Sequence, residues 1–200
     1  AMSFWLYFES GTTQYTPFGT DVGSGAGDLV TELGTNGSFS ITIQNKTYAA
    51  GAGALGSTGW KHIAYSSNQE LYINGVLHTG GTTSTSSNPS ANLLMGGWRY
   101  PVPSWGAFNS KIDQLRVYNT ALTAGNVATL YAETASSTIS ISGLQAHYKF
   151  EGNATDETGN YDGTATNITY NEYDGTATNV TYATGKFGNA AVFNGSSSYI

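Results

Sequence analysis

Residues 71–77 read Leu-Tyr-Ile-Asn-Gly-Val-Leu and contain the sharpest turn signal in the chain. Two short apolar runs flank Asn74-Gly75, and Asn-Gly adopts at low cost the positive φ angles that a type I′ turn requires at both central residues. The stretch therefore predicts a β-hairpin. Apolar and polar residues alternate with a period of two elsewhere along the chain, as in Phe4-Leu6-Phe8 and Phe39-Ile41-Ile43. This alternation predicts antiparallel sheets with one buried face, and hence an all-β protein.

Composition limits the classes of protein to which the chain can belong. Its 200 residues suffice for one domain with a core between two sheets. The 7 Lys and Arg residues against 13 Asp and Glu residues give a net charge of −6 without a basic cluster, which excludes binding to a nucleic-acid backbone. Cysteine is absent, which excludes disulfides and thiolate metal sites. No apolar run reaches the ~20 residues that span a bilayer, so no membrane insertion is expected.

One segment departs from the β pattern. Leu122, Val127 and Leu130 follow near-helical spacing, and the Thr123 side chain can cap a helix N-terminus. The sequence therefore predicts one short helix near residues 123–131. Small polar residues after this helix predict a linker at residues 134–143.

A twelve-residue segment occurs twice in succession, beginning Tyr-Asp-Gly-Thr-Ala-Thr-Asn at Tyr161 and again at Tyr173. One duplication is too short for a solenoid, which needs three or more units to close a core. We interpret it as an extra strand or a lengthened loop at the edge of the domain. The alternative is a strand that pairs with another chain, since exposed sheet edges bind other strands.

Three stretches together resemble a known family. They are Gly-Trp-Lys-His-Ile-Ala-Tyr at 59–65, Leu-Tyr-Ile-Asn-Gly at 71–75, and Lys-Ile-Asp-Gln-Leu-Arg-Val-Tyr-Asn-Thr-Ala-Leu at 111–122. In this order they resemble the laminin-G-like domains of the concanavalin A-like lectin and glucanase superfamily. The resemblance implies a two-sheet antiparallel jelly-roll sandwich. Residues 1–133 resemble the C-terminal two-thirds of such a domain, and residues 144–200 resemble its N-terminal third.

The order of these two segments differs from that of the family, in which the part similar to residues 144–200 comes first. Three arrangements are open. The segments complete one sandwich within the chain, as in a circular permutant, or each chain completes its neighbour's sandwich, or the chain spans parts of two tandem domains. Permutation fits the length, and the termini of such sandwiches lie close together. In every case another segment must cover the strand edges and apolar face of each part.

The superfamily also includes β-glucanases, which use paired carboxylates on one strand, commonly in the pattern Glu-x-Asp-x-x-Glu. This pattern is absent from the chain, so we expect no enzymatic activity. The three histidines, His62, His78 and His147, are far apart in the sequence and lie outside nucleophile motifs. We expect each of them to be structural.

A bent acidic loop is the candidate metal site. Ca²⁺ prefers several oxygen ligands from carboxylates and carbonyls, and residues 151–160 read Glu-Gly-Asn-Ala-Thr-Asp-Glu-Thr-Gly-Asn. The resemblance implies that Asp156 in this loop and Asp113 in a strand meet at one structural Ca²⁺, with Asn160 as a further candidate ligand. The alternative is that Asp156 caps a turn through its side chain while Asp113 pairs with Lys111 or Arg116.

An aromatic loop is the candidate ligand-binding site. Trp98, Arg99, Tyr100 and Trp105 lie in a short segment that also contains two prolines. Aromatic faces stack on sugar rings, and a proline-containing loop loses little entropy when it binds. The alternative is that the two tryptophans cover one end of the core.

The amino-acid composition, poor in Lys and rich in Thr, Asn and Gly, resembles that of modules that decorate phage and virus particles, of tail fibres and of bacterial surface adhesins. This resemblance implies a non-catalytic structural or adhesion module that is extracellular or on the virion surface. Its expected partners are identical subunits or capsid and tail proteins. The alternative is a calcium-dependent carbohydrate-binding lectin module, whose partners would be surface glycans.

Overall fold

The computed structural model describes residues 1–12, 16–20, 29–43, 46–78, 81–82, 93–96, 108–135, 139–162 and 180–195. These residues form fourteen strands and one α-helix, α1 (Ala124–Tyr131). The strands are β1 (Met2–Phe8), β2 (Phe18–Thr20), β3 (Leu29–Leu33), β4 (Phe39–Ile43), β5 (Lys46–Ala50), β6 (Gly59–Ser66), β7 (Glu70–Ile73), β8 (Val76–His78), β9 (Gly81–Thr82), β10 (Leu93–Met95), β11 (Lys111–Tyr118), β12 (Leu144–Tyr148), β13 (Thr181–Thr184) and β14 (Asn189–Val192).

The strands form two antiparallel sheets. The eight-stranded sheet has the order β13-β14-β11-β1-β6-β7-β8, and β12 also pairs with β11. The six-stranded sheet has the order β10-β2-β3-β4-β5-β9. The all-β, two-sheet antiparallel sandwich predicted from the sequence is confirmed.

The predicted hairpin joins β7 to β8. Asn74 and Gly75 have φ angles of 50° and 78°, and Ile73 pairs directly with Val76. These angles are the ones that a type I′ turn requires. Asn74 also exchanges hydrogen bonds with the backbone of His62, which attaches the turn to β6.

The inner face of the eight-stranded sheet packs on the six-stranded sheet. Every second side chain of β1, namely Met2, Phe4, Leu6 and Phe8, belongs to one core cluster. The Phe4 ring lies 4.6 Å from the ring of Phe18, on the opposite sheet, in an edge-to-face arrangement. The period-two alternation therefore places the main core between the sheets.

The outer face of the eight-stranded sheet is covered in part by α1. Thr123 caps this helix, because its hydroxyl accepts a hydrogen bond from the Asn126 amide while its own amide donates to Asn126 Oδ1. The predicted helix near residues 123–131 is confirmed. Its buried side chains, Val127 and Leu130, join a second core cluster. The other members of that cluster are Ala64, Tyr72, Tyr118 and Leu122. Within the described ranges, no helix combines the length and the apolar character needed to cross a membrane.

The edge of β11 that faces away from β1 is shared by two strands from the C-terminal segment, and we call this edge the seam. Residues 115–118 pair with β12, and residues 111–112 pair with β14. Between them Gln114 adopts a φ of 51°, where the register of β11 against β1 shifts by one residue. Strands from both segments therefore form one sheet within the chain.

The C-terminal segment also contributes to the main core. Phe150, Val180, Ala191 and Phe193 are buried in the same cluster as the β1 side chains. That residues 1–133 and 144–200 are the two parts of one permuted family domain, joined by a linker at 134–143, stays a prediction.

Substitution of Phe150 by Ala tests whether the two segments fold together. Phe150 is fully buried, and we expect its truncation to lower the free energy of unfolding by about 3–5 kcal/mol. Urea unfolding should be followed by tryptophan fluorescence, because all four tryptophans lie in residues 1–133.

The matched control is Thr184→Ala, at an exposed position of β13, which we expect to change stability by less than about 0.5 kcal/mol. A tryptophan transition that F150A leaves unchanged would show that the two segments fold independently.

Candidate functional site

Trp98, Arg99, Tyr100 and Trp105, the predicted ligand-binding residues, lie outside the described residues. Their role stays a prediction. Asp113, Asp156 and Asn160, the predicted metal ligands, all lie within the described ranges. Asp113 is in β11 and contacts the turn before β14, and Asp156 contacts the backbone of β12.

A buried ion pair lies on the outer face of the eight-stranded sheet, next to the end of α1. Arg116 donates two hydrogen bonds to the Glu133 carboxylate, at 3.0 Å from Nη1 and 2.8 Å from Nη2. Both side chains are almost completely buried, and Trp5 Nε1 donates to the same carboxylate at 3.4 Å. The pair attaches the segment after the helix to β11. Removal of either partner would destabilise the fold, because it would leave an uncompensated buried charge.

Gln114 extends the polar network across the seam. Its Oε1 accepts hydrogen bonds from Arg116 Nη2 at 3.3 Å and from His147 Nε2 at 2.9 Å. An amide oxygen only accepts, so His147 carries its proton on Nε2. Gln114 Nε2 donates to Asp113 Oδ1 at 3.2 Å. The bulged residue of β11 thus joins a side chain of β12 to the buried charges of the first segment.

Asp113 holds the turn that leads into β14. Its Oδ2 accepts hydrogen bonds from the amides of Lys186, at 2.8 Å, and Phe187, at 3.0 Å. The carboxyl group is fully buried, and this burial raises its pKa to about 7 despite the three donors around it. Asp113 therefore stabilises the contact between the two segments on the β14 side of the seam.

Asp156 organises the loop that follows β12. Its Oδ1 accepts hydrogen bonds from the amides of His147, at 2.7 Å, and Thr158, at 3.0 Å. Its Oδ2 accepts from the amides of Asn160 and Tyr161, at 3.1 and 3.0 Å, and from the Thr158 hydroxyl. Burial alone would raise the pKa of this carboxyl, but the hydrogen bonds outweigh burial and lower it.

This arrangement does not fit Asp156 as a calcium ligand. An ionised carboxylate offers about four lone-pair directions, and five donors already occupy the two oxygens of Asp156. Asn160 reaches Asp156 through its backbone amide, which is a donor. Among the residues that the structure describes, no group of three or more His, Asp or Glu side chains is arranged to hold a metal ion. The geometry favours the turn-capping alternative, and calcium stays a prediction from the resemblance.

An open cleft of about 570 Å³ lies beside the Asp156 loop, at the ends of β11 and β12. We call it the tyrosine cleft. Its polar and aromatic lining consists of Tyr118, Asn119, Gln145, Tyr148, Tyr161 and Asp162. Sequence reasoning missed this site, because its residues come from both segments and share no local pattern. The one available signal was that Tyr161-Asp162 opens the duplicated stretch.

A model of the concanavalin A-like lectin/glucanases superfamily, of the laminin G type, matches residues 1–128. The chain belongs to this superfamily. The laminin-G-like resemblance stated from the sequence motifs is thereby confirmed. A search of curated proteins returned no match. Domains of the superfamily often serve as adhesion or carbohydrate-binding modules.

The superfamily match ends within α1, so the strands β12, β13 and β14 lie beyond it. Of these strands, β12 and β14 nevertheless occupy the seam of the matched part, and β13 pairs with β14. Both Asp113 and the lining of the tyrosine cleft depend on this contact.

Because His62 is buried, we expect the folded chain to lose stability in acid. Burial, and next the charge of Arg116, lower its pKa to about 3, below the ordinary value of about 6.5. Between these two values the unfolded chain binds a proton that the folded chain excludes. The free energy of unfolding therefore falls as the pH drops through this window, by at most ~1.4 kcal/mol per pH unit.

Two other groups act in the same window. His147, whose pKa burial also lowers to about 3, adds a contribution of the same sign. Asp113, whose pKa is raised to about 7, binds a proton on folding between its ordinary value of about 3.8 and 7, and so offsets one histidine. In this window the folded wild-type chain should therefore bind about one proton fewer than the unfolded chain. Its free energy of unfolding should fall by ~1.4 kcal/mol for each pH unit of acidification.

The test is urea unfolding of the wild type and of His62→Gln at a series of pH values. We expect the variant to lose most of the net acid slope between pH values of about 6.5 and 4, and to run parallel to the wild type above about pH 7. An equally steep acid slope in H62Q would contradict a buried neutral His62.

Proposed function

We propose that the chain is a non-catalytic adhesion or structural module that acts outside the cytoplasm, on the surface of a virion or a cell. The use of the carboxylates around the eight-stranded sheet carries this proposal. A glycosidase needs two carboxyl groups roughly 5–10 Å apart on either side of a bound sugar. Here Asp113 and Asp156 accept backbone hydrogen bonds, and Glu133 pairs with buried Arg116.

Two further carboxylates of this region have structural partners as well. Glu151 accepts a hydrogen bond from the Asn189 amide at 2.8 Å, next to the turn that leads into β14. Glu157 pairs with Lys149 at 2.9 Å, across the Asp156 loop. Carboxylates that stabilise the fold in this way support a recognition role over a hydrolytic one.

The hairpin at the end of the eight-stranded sheet supports contact with another protein. Val76 is 61% exposed and Leu77 is 43% exposed, on strand β8, which is the last strand of the sheet in the described part of the chain. Edge strands with exposed apolar side chains readily pair with other chains. Identical subunits, or capsid and tail proteins, are the partners that we propose for this edge.

The second candidate function is a calcium-dependent carbohydrate-binding lectin module. The tyrosine cleft favours the carbohydrate part of this function, because it combines aromatic rings with amide and carboxylate groups. The hydrogen bonds at Asp156 do not favour the calcium part.

A polysaccharide panel tests both functions. We expect the native chain to release no more reducing ends from laminarin, dextran and mannan than the heat-denatured chain does, because its carboxylates are engaged in the fold. Hydrolysis by the native chain above this control contradicts the non-catalytic proposal.

Glycan-array binding in excess Ca²⁺ and in excess EGTA then separates the two candidates. A glycan signal that EGTA abolishes supports the calcium-dependent lectin, and the absence of a signal in both conditions counts against any lectin function.

A further inference from the structure

Strand β13 is the outermost strand of the eight-stranded sheet, and it comes from the second copy of the duplicated segment. Among the described strands it pairs with β14 alone, where Thr181 is opposite Val192 and Thr184 is opposite Asn189. An outermost strand has one neighbour, so its backbone bonds to the sheet run along a single edge. Replacement of β13 by another strand would therefore leave the rest of the sheet paired.

The first copy contains the same kinds of core side chain at the same spacing. In the second copy, Val180 is fully buried in the main core and Tyr182 packs against that core. The corresponding residues of the first copy are Ile168 and Tyr170. Residues two apart project from the same face of a strand, and Ile favours strands as Val does. Ile168 and Tyr170 can therefore fill the space that the second copy fills.

The remaining differences between the two copies lie at exposed positions of β13. Asn171 of the first copy corresponds to Ala183, and Glu172 corresponds to Thr184. Both residues of the second copy are exposed in the structure. Polar side chains at these positions would remain in water, so they do not oppose an exchange of the copies. The duplication thus preserves what the core requires from this strand.

We propose that the two copies are interchangeable as the outermost strand of the sheet. In the exchanged register, residues 168–172 replace residues 180–184 beside β14. The segment before the strand becomes shorter by the same number of residues by which the loop after it becomes longer, so their closure entropies change in opposite directions. Residues 163–179 lie outside the described ranges, and their part in this exchange follows from their sequence.

The turn between β13 and β14 selects the present register. The Gly185 amide donates to the Gly188 carbonyl at 2.9 Å, and Asp113 Oδ2 accepts hydrogen bonds from the amides of the two residues after Gly185. In the exchanged register the connecting loop grows from residues 185–188 to residues 173–188. These are two doublings of its length, which disfavour the exchanged register roughly eightfold before the shorter segment is counted. The exchanged register is therefore a minor state of the wild-type chain.

Two substitutions test the exchange by urea unfolding of the whole chain. Val180→Asp places a carboxylate in the core and blocks the second copy, and Ile168→Asp blocks the first copy in the same way. We expect I168D to unfold like the wild type. V180D should lower the equilibrium constant of folding by no more than about tenfold, because the first copy replaces the second. The double variant should lower it at least about a hundredfold, because neither copy then fits the core.

The matched control is Ala183→Asp, which introduces the same charge at an exposed position of β13 and should unfold like the wild type. The combined loss in the double variant should exceed the product of the two single losses by about tenfold, as expected for positions that substitute for each other. A combined loss equal to that product overturns the proposal.

Disulfide trapping identifies the copy that pairs with β14. Thr181→Cys and Val192→Cys are directly opposed in the present register, and Thr169→Cys takes the place of T181C in the exchanged one. After oxidation of dilute protein, we expect T181C/V192C to close faster than T169C/V192C in the otherwise wild-type chain. With V180D added, T169C/V192C should close faster. Faster closure of T181C/V192C in the presence of V180D also overturns the proposal.

Discussion

A central strand must pair its backbone along both edges, and β11 meets this requirement with strands that are distant in sequence. One edge pairs with β1, close to the start of the chain, and the other is divided between β12 and β14. Unpaired amides and carbonyls in a buried strand cost as much as lost hydrogen bonds, so the first segment cannot leave this edge empty. The bulge at Gln114 marks the point where one partner strand gives way to the other.

Polar side chains determine how the seam closes. Hydrophobic burial drives the two segments together, but it tolerates alternative registers more readily than buried hydrogen bonds do. Asp113 binds the turn before β14, Gln114 binds His147 of β12, and Asp156 binds the backbone of both β12 and its following loop. The same contacts fix Tyr161 beside the first segment. The tyrosine cleft is therefore a product of the seam, and its stability follows that of the seam.

Two of the features that the sequence predicted correctly are local. The Asn74-Gly75 hairpin and the Thr123-capped helix each depend on a few neighbouring residues whose preferred conformations agree with the fold. The tyrosine cleft was not predictable in this way, because Asn119 and Tyr161 approach each other only after docking. Asp156 was ambiguous for a different reason. A turn cap and a calcium ligand both require a carboxylate in a bent loop, and only the positions of the surrounding amides distinguish the two roles.

Closure of the seam within one chain can be tested with a disulfide between Lys111→Cys and Val192→Cys. These residues are directly opposed on β11 and β14, and opposed Cα atoms of antiparallel strands lie about 4.5–5.5 Å apart, within disulfide range. The chain has no other cysteine. After oxidation of dilute protein, we expect a monomer with an internal disulfide. Disulfide-linked dimers and longer oligomers without this monomer would show instead that each chain completes its neighbour.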